Sequence, residues 1–423
     1  MTRLIFHIDV NSAYLSWEAV RHLEKTGKDL RAIPSAVGGN PEKRTGIILA
    51  KSIPAKKLGI KTGEPVSMAL RKCPDLFLAA PDFALYEKNS KAFMDICRKY
   101  APVVEKFSID ECFLDMTGTS LLYPDPLEIA HRIKNEIRDT LGFTVNVGIG
   151  ENKLLAKMAS DFEKPDRVHT LLSHELAEKF RPLPIGDLFM TGRATAETLK
   201  KHNIYTIGDA ANTGAPALSA ILGPKHGAQL YARARGEDDS PVLSEPEEAK
   251  GYSISTTLEE DITTSADAKQ VLLALSDSVS ARMRADGKTC LVVTVSIRST
   301  DFKNRSHGET LSAPTDITME IYDRACRLFD ALWDKETPLR LLGISLSHLE
   351  NESDGQLSFI TDEKREKESR MDKTVDSIRR KFGVGKVVRG GVYKTDLSVG
   401  RKYKAQMESK RECKKSPDRK KAE

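Results

Sequence analysis

No window of this chain approaches the ~18 uninterrupted apolar residues that a membrane span requires. Nor does the N-terminus carry a cationic stretch, an apolar run and a small-residue cleavage site, so a cytoplasmic protein without membrane contact is expected. Cysteine is sparse and scattered: Cys73, Cys97, Cys112, Cys290, Cys326 and Cys413 show no Cys-x-x-Cys spacing. That argues against a zinc site and a disulfide framework, and for reduced, partly buried side chains. One-sided charge is missing from most of the chain. Of the net +5, residues 401–423 supply ten Lys or Arg against four Asp or Glu, which leaves the remainder near neutral. A global basic field is thereby excluded, and any nucleic-acid contact must use local basic surface.

What is present is ample material for packed cores. With 423 residues and 39% hydrophobic content, several domains are expected. Residues 4–9 read as a buried strand, followed by a helix carrying Ala13, Trp17, Val20 and Leu23, with Asn11 or Ser12 as its cap. A second helix shows Phe93, Ile96, Cys97 and Tyr100 on one face. Strands 103–107 and 111–115 then meet at an Asp110-Glu111 turn. A helix with Leu127, Ala130, Ile133, Ile137 and Leu141, and a strand Thr144–Ile149, complete a β-α-β-β-α-β order. Residues 13–79, rich in Gly, Lys and Pro, interrupt this order as an insertion. Short helical pieces fill 170–240, and Pro241 with the Glu245–Glu248 run marks a linker.

Residues 251–350 repeat the same order. Strand 289–299 is expected to place Leu291, Val293, Val295 and Ile297 on one face and Val292, Thr294, Ser296 and Arg298 on the other, as a sheet does with helices on one side only. A charged helix is expected at 361–381 and disorder at 400–423.

Chemistry concentrates at a few points. Asp9 ends the first apolar run, and Asp110-Glu111 occupies the hairpin. Three carboxylates with phosphate oxygens suit octahedral Mg²⁺, and two such ions serve phosphoryl transfer. A plain strand end and a plain turn remain the alternative at this level, although the split topology makes the first strand and the hairpin neighbours. Tyr14 is either core packing or a ring beneath a bound sugar. The segment Lys51–Lys61 holds four lysines in eleven residues, and Lys164 follows the last strand of the unit. Lysines at two points around a metal site would neutralise a triphosphate, although a single charge run is usually a solvated basic helix. Gly192-Arg193 and Gly223–Gly227 resemble helix-hairpin-helix turns, whose backbone amides suit a phosphate.

In this order, the residues resemble the Y-family of translesion DNA polymerases along nearly the whole chain. The match rests on Asp9 with Tyr14, the Ala55–Lys61 block, Ser108-Ile109-Asp110-Glu111, Val147–Ile149 with Asn152-Lys153, and Lys164-Pro165. The resemblance implies an α/β (α+β) fold: a ferredoxin-like βαββαβ palm at 1–12 and 80–168, small fingers at 13–79, a helix-hairpin-helix thumb at 169–240, a linker at 241–250 and a second βαββαβ little finger at 251–350. Residues 351–423 would carry a clamp-binding segment and a basic tail.

By the same resemblance Asp9, Asp110 and Glu111, assisted by the carbonyl of Val10, would hold two Mg²⁺ ions. Tyr14 would be the steric gate against ribonucleotides. Lys56, Lys164 and Ser52 would bind the triphosphate, and Ile47 and Leu49 would roof the templating base. Gly192, Arg193, Arg298, Lys303 and Arg305 would contact DNA. Gln356, Leu357 and Phe359 are similar to a sliding-clamp motif one apolar residue short. The implied activity is error-prone, template-directed DNA synthesis past damaged bases without proofreading, by a monomer associated with the nucleoid. Implied partners are primer-template DNA, deoxynucleoside triphosphates and the sliding clamp. The chain departs from the polymerase IV branch at Ile53 and Lys56, which with Asn11 lean towards the polymerase V catalytic-subunit branch. Met190 replaces the first Gly of the usual thumb turn. Nucleotide cyclases share the palm topology, but the content of 170–350 argues against them. The intact acids argue against a non-catalytic scaffold.

Overall fold

The computed structural model describes residues 3–40, 46–351 and 363–392. The chain forms two compact units that divide at Pro246/Glu247, inside the expected linker. The clamp-like residues Gln356, Leu357 and Phe359 and the basic tail lie outside the described residues.

The first unit opens with β1 (Ile5–Val10), buried along its whole length, and α1 (Ala13–Thr26), which buries Trp17. Leu23, expected on the apolar face of α1, is exposed in its last turn. Ser12 occupies the N-cap position in the left-handed region (φ 47°) and makes no capping bond. The insertion then forms β2 (Ser35–Gly38), β3 (Ile48–Lys51), α2 (Ile53–Lys57), α3 (Val66–Lys72) and β4 (Phe77–Ala79), with a small sheet in the order β3-β2-β4. Helix α4 (Phe83–Cys97) follows, then β5 (Val103–Lys106), β6 (Glu111–Asp115), α5 (Pro126–Leu141), β7 (Val145–Gly150), α6 (Lys153–Ser160) and β8 (Val168–Leu171).

The main sheet runs β5-β6-β1-β7-β8. Its first four strands have the split βαβ arrangement, with β1 between β6 and β7 and antiparallel to both. Strand β8, parallel to β7, adds a fifth that the sequence did not announce, because its short run follows Pro165 and Asp166. Leu127 also departs from expectation: it sits exposed in the first turn of α5, while Ile129, Ala130, Ile133 and Ile137 carry the buried face.

Glycine decides how close α6 lies to β7. A Cβ at Gly148 would stand 2.1 Å from the Ala156 carbonyl oxygen and 2.3 Å from the Ser160 nitrogen; one at Gly150 would stand 2.5 Å from the Ala156 nitrogen. Only hydrogens fit there, so the helix settles directly on the strand. The unit closes with α7 (Arg193–Lys200), α8 (Ile207–Thr213), α9 (Ala215–Leu222) and α10 (Pro224–Ala234) around their own core of Leu199, Ile207, Leu218 and Leu230.

The second unit comprises β9 (Gly251–Ile262), α11 (Ser265–Ala285), β10 (Lys288–Ser299), β11 (Asn304–Thr315), α12 (Thr318–Leu332), β12 (Leu339–Asn351) and α13 (Glu363–Phe382), with sheet order β11-β10-β12-β9. Its core joins Val293, Val295 and Ile297 of β10 to Leu272, Leu275, Ile321 and Phe329 of α11 and α12. The expected alternation breaks at its start: the register shifts between Cys290 and Val292, so Cys290 is buried and Leu291 is only half-buried. A bulge places two residues opposite one and reverses the facing of whatever precedes it. Helix α13 is not a solvated charged rod. Asp372 is 2% and Arg379 4% exposed. Arg284 of α11 meets Asp376 at 2.7 Å and Asp372 at 3.3 Å, and Arg379 meets Asp277 at 2.8 Å. Complementary charge on α11 lets a polar helix dock.

Candidate active site

Strand pairing assembles the acids. Asp9 lies opposite Glu111 in the β1–β6 register, and the Val10 amide donates to the Asp110 carbonyl at 3.0 Å. Glu111 is the first residue of β6, so Asp110 alone ends the turn, with Ser108 Oγ donating to its Oδ1 at 2.6 Å. Burial pushes the Asp110 carboxyl above its usual range, and the charges of Asp9 and Glu111 add to the push against the Ser108 hydrogen bond.

Two lysines stand against these acids. Lys157 of α6, 8% exposed, reaches Glu111 Oε2 at 3.1 Å and Asp9 Oδ2 at 3.4 Å. Lys164 reaches Asp9 Oδ1 at 3.0 Å. Burial works to lower both ammonium groups, but the surrounding carboxylates outweigh it and both are raised. Behind Glu111 lies His7, wholly buried: one ring nitrogen is 3.1 Å from Glu111 Oε2 and the other 2.8 Å from Ser160 Oγ. Burial alone would raise Glu111, yet the His7 bond and the Lys157 charge hold it down at about 2.

A cleft of about 450 Å³ opens in front of Asp9 and Asp110, lined also by Tyr14, Lys51, Lys56 and Lys164. Tyr14 presents one ring face to Tyr86, stacked at 4.5 Å and 15°, so its ring is fixed by packing while it borders the cleft. Core packing and cleft lining are therefore both true of it. Lys56 lies exposed on the rim beside Ile53, which is exposed as well. Lys51 is pushed below the usual lysine range by burial first and by the Lys56 charge second, the sign of a locally cationic wall.

Other expected residues lie elsewhere or have other employment. The Ser52 hydroxyl caps α2, accepting from the Ala55 and Ser35 amides at 3.1 Å each and donating to the Ile33 carbonyl at 2.8 Å. That exhausts its capacity, so it orients α2 and Lys56 and has no free bond for a phosphate. Leu49 lines the cleft, whereas Ile47 stands outside that lining and is exposed. Gly192 opens α7, and Arg193 next to it is exposed and paired with Glu197 at 2.8 Å. Met190 takes φ 67°, a left-handed value that glycine holds without strain. In the second unit Arg298, Lys303 and Arg305 cluster around the β10–β11 turn, engaged with Asn304, Asp301 and Asp334 respectively.

The sequence reading missed Lys157, His7 and the work of Asn11. A lysine inside Leu154–Ala159 and a histidine inside Ile5–Ile8 were signals, since charge in an apolar run asks for a partner. Asn11 accepts from Thr144 Oγ1 and from the Asp166 amide, both at 3.0 Å, and donates to Asn146 at 3.1 Å. It thereby ties the end of β1 to the loop that carries Lys164.

Among the described residues no three His, Cys, Asp or Glu side chains approach closely enough to share one ion. Lys157 and Lys164 pair with Asp9 and Glu111 instead, and Asp110 accepts from Ser108. The donors nevertheless fit Mg²⁺: they are hard oxygens on adjoining strand ends, and the negative field at Asp110 is one that a cation would relieve. No helix among the described residues is long and apolar enough to cross a membrane.

The chain as a whole has known relatives. The description "impB/mucB/samB family" matches residues 8–161, its C-terminal domain matches 249–359, and "DNA polymerase-iota, thumb domain" matches 187–238. The chain is 41% identical over 391 residues to a DNA polymerase IV of Clostridium acetobutylicum, covering 92% of this chain and 98% of that one. It is 34% identical over 402 residues to DNA polymerase IV 1 of Bacillus subtilis, covering 94% and 95%. In fold it is similar to a solved Y-family DNA polymerase chimera, with a TM-score of 0.72 at 24% identity, over 82% of this chain and 98% of that one. A match of that extent makes the chain a member of the impB/mucB/samB family, among relatives named DNA polymerase IV.

Proposed function

We propose that this chain is an error-prone, template-directed DNA polymerase that extends a primer 3′ end across damaged template bases. One observation carries the reading: Asp9, Asp110, Tyr14, Lys56 and Lys164 border a single cleft. Asp9, Asp110 and Glu111, with the Val10 carbonyl, would hold two Mg²⁺ ions. When bound, such ions activate an attacking hydroxyl and stabilise a leaving oxygen.

The remaining work falls to the chain itself. Lys164 and Lys56, which line the same cleft, would bind the triphosphate of the incoming deoxynucleotide. Tyr14, braced on Tyr86, would exclude a 2′-hydroxyl by contact. Leu49 and Ile47 would roof the templating base, Leu49 from within the cleft lining. His7 and Lys157 orient Glu111 from behind. Small fingers would leave the site open, which would favour damaged templates at the expense of fidelity, and synthesis would proceed without proofreading. Gly192, Arg193, Arg298, Lys303 and Arg305 would contact the DNA backbone, giving non-specific, salt-sensitive affinity. Gln356, Leu357 and Phe359 would bind a sliding clamp, and the protein would act as a monomer in the cytoplasm, at the nucleoid.

The test is primer extension with Mg²⁺ on undamaged and abasic templates. Template-directed addition on both is expected. Conversion of a nucleoside triphosphate to a cyclic product without primer would favour the cyclase reading instead, and no reaction would favour a scaffold.

A further inference from the structure

Asp161, the C-cap residue of α6, belongs to none of the roles above, yet it meets both active-site lysines. Its Oδ2 is 3.4 Å from Lys157 Nζ and its Oδ1 is 2.9 Å from Lys164 Nζ. Asp9 is held the same way, by Lys157 on Oδ2 at 3.4 Å and by Lys164 on Oδ1 at 3.0 Å. Two carboxylates and two ammonium groups thus alternate in a closed ring, and the two acids compete for the same cations. The ring is asymmetric in exposure: the Asp9 side chain is 13% exposed and the Asp161 side chain 47%.

The ring bears directly on cation binding. A divalent ion that takes Asp9 competes with two lysines for its oxygens, because cations gathered on one buried carboxylate repel one another. Without another acceptor the displaced ammonium groups would remain beside the ion, unpaired and repelling it. Asp161 supplies the acceptor, at distances both lysines already span. It does so from a short helix end that Gly148 and Gly150 press against the strand next to Asp9.

We infer that Asp161 is a positioning residue that holds Lys157 and Lys164 when a divalent cation takes Asp9, and so sets how tightly that cation binds. The inference rests on the proposed role of Asp9, Asp110 and Glu111 as the cation's ligands. Removing the Asp161 charge leaves both lysines to Asp9 and Glu111 alone, which strengthens the competitor. Cation affinity should then fall by roughly threefold to tenfold, a modest factor because Asp161 is screened by solvent.

The experiment uses the full chain and Mn²⁺ as probe, with free Mn²⁺ read by its electron paramagnetic resonance signal and primer-template binding read by fluorescence anisotropy. Asp161→Asn should weaken Mn²⁺ binding by that factor, Asp161→Glu should restore most of it, and primer-template affinity should stay unchanged in both. Unchanged Mn²⁺ affinity in Asp161→Asn would overturn the inference. So would a loss that Asp161→Glu fails to restore or that weakens DNA binding equally, since both mark a role in folding alone. Asp110→Ala, run in parallel, separates the two levels. If it leaves Mn²⁺ binding intact, the ligand assignment itself fails, whereas a loss there with none in Asp161→Asn sinks only the inference.

Discussion

Tyr14 owes its position to neighbours rather than to hydrogen bonds: Tyr86 stacks on one face and Phe83 meets the ring edge-on at 6.2 Å. A ring held by packing alone is a firm wall, and a clash with one extra hydroxyl is worth a few kcal/mol at most. Tyr14→Ala should therefore raise ribonucleotide incorporation relative to deoxyribonucleotide by roughly 10- to 100-fold, while Tyr14→Phe keeps the wild-type ratio. An unchanged ratio in Tyr14→Ala removes the ring from the gate. His7 gives a second residue-scale consequence. Burial is the main cause of its lowered pKa, so the folded chain holds it neutral while the unfolded chain titrates near 6.5. The unfolded state takes up the proton first, and stability must fall as pH drops through and below 6.5. Glu111, held at about 2 against an ordinary 4.5, keeps its contribution above pH 4.5 and loses it only between 4.5 and 2. Between pH 7 and 5 the fall therefore belongs to His7, and His7→Gln should flatten the decline in melting temperature over that interval. Equal slopes for both proteins would contradict this.

Elements show where sequence periodicity carries and where it fails. The buried runs of β1 and β7 and the spacing of Ile129, Ile133 and Ile137 announce the split βαβ order directly, because helix and strand periods are local properties. That order makes β1 and the hairpin neighbours, so periodicity along the chain suffices to group Asp9, Asp110 and Glu111. It does not suffice for Lys157. The place of that lysine beside Asp9 depends on α6 lying against β7, and that depends on two glycines whose role shows only in three dimensions. The bulge at Cys290–Val292 and the strand β8 are hidden for a similar reason: each is set by its partner strand. Gly150→Ala tests the α6 contact. The added methyl meets backbone at 2.5 Å, which cannot yield as a side chain would. Urea unfolding should show a loss of about 3 kcal/mol, the upper end for overpacking. A loss below about 1 kcal/mol would mean that α6 can shift without cost.

At the scale of the molecule, two units have separate cores, and the acids and the cleft lie in the first. The second unit depends on ions as well as apolar packing. Asp372 serves Arg284, the Thr318 amide at 2.8 Å and Arg389, and it is almost wholly buried. Breaking such a network leaves charge unpaired and costs about 3–5 kcal/mol. Calorimetry of the full chain should show Asp372→Ala lowering the transition of the second unit alone; an unchanged transition would mean that α13 contributes nothing to it. This docking is not legible in the sequence, since alternating charges in 363–382 read the same whether solvated or paired. For the first unit, the proposal is that its three acids carry nucleotide addition and do not merely support the fold. The direct measurement is primer extension by Asp110→Ala with primer-template affinity determined on the same protein. Extension should vanish while affinity is little changed. Extension at the wild-type rate would contradict the proposed role of the acids at its root.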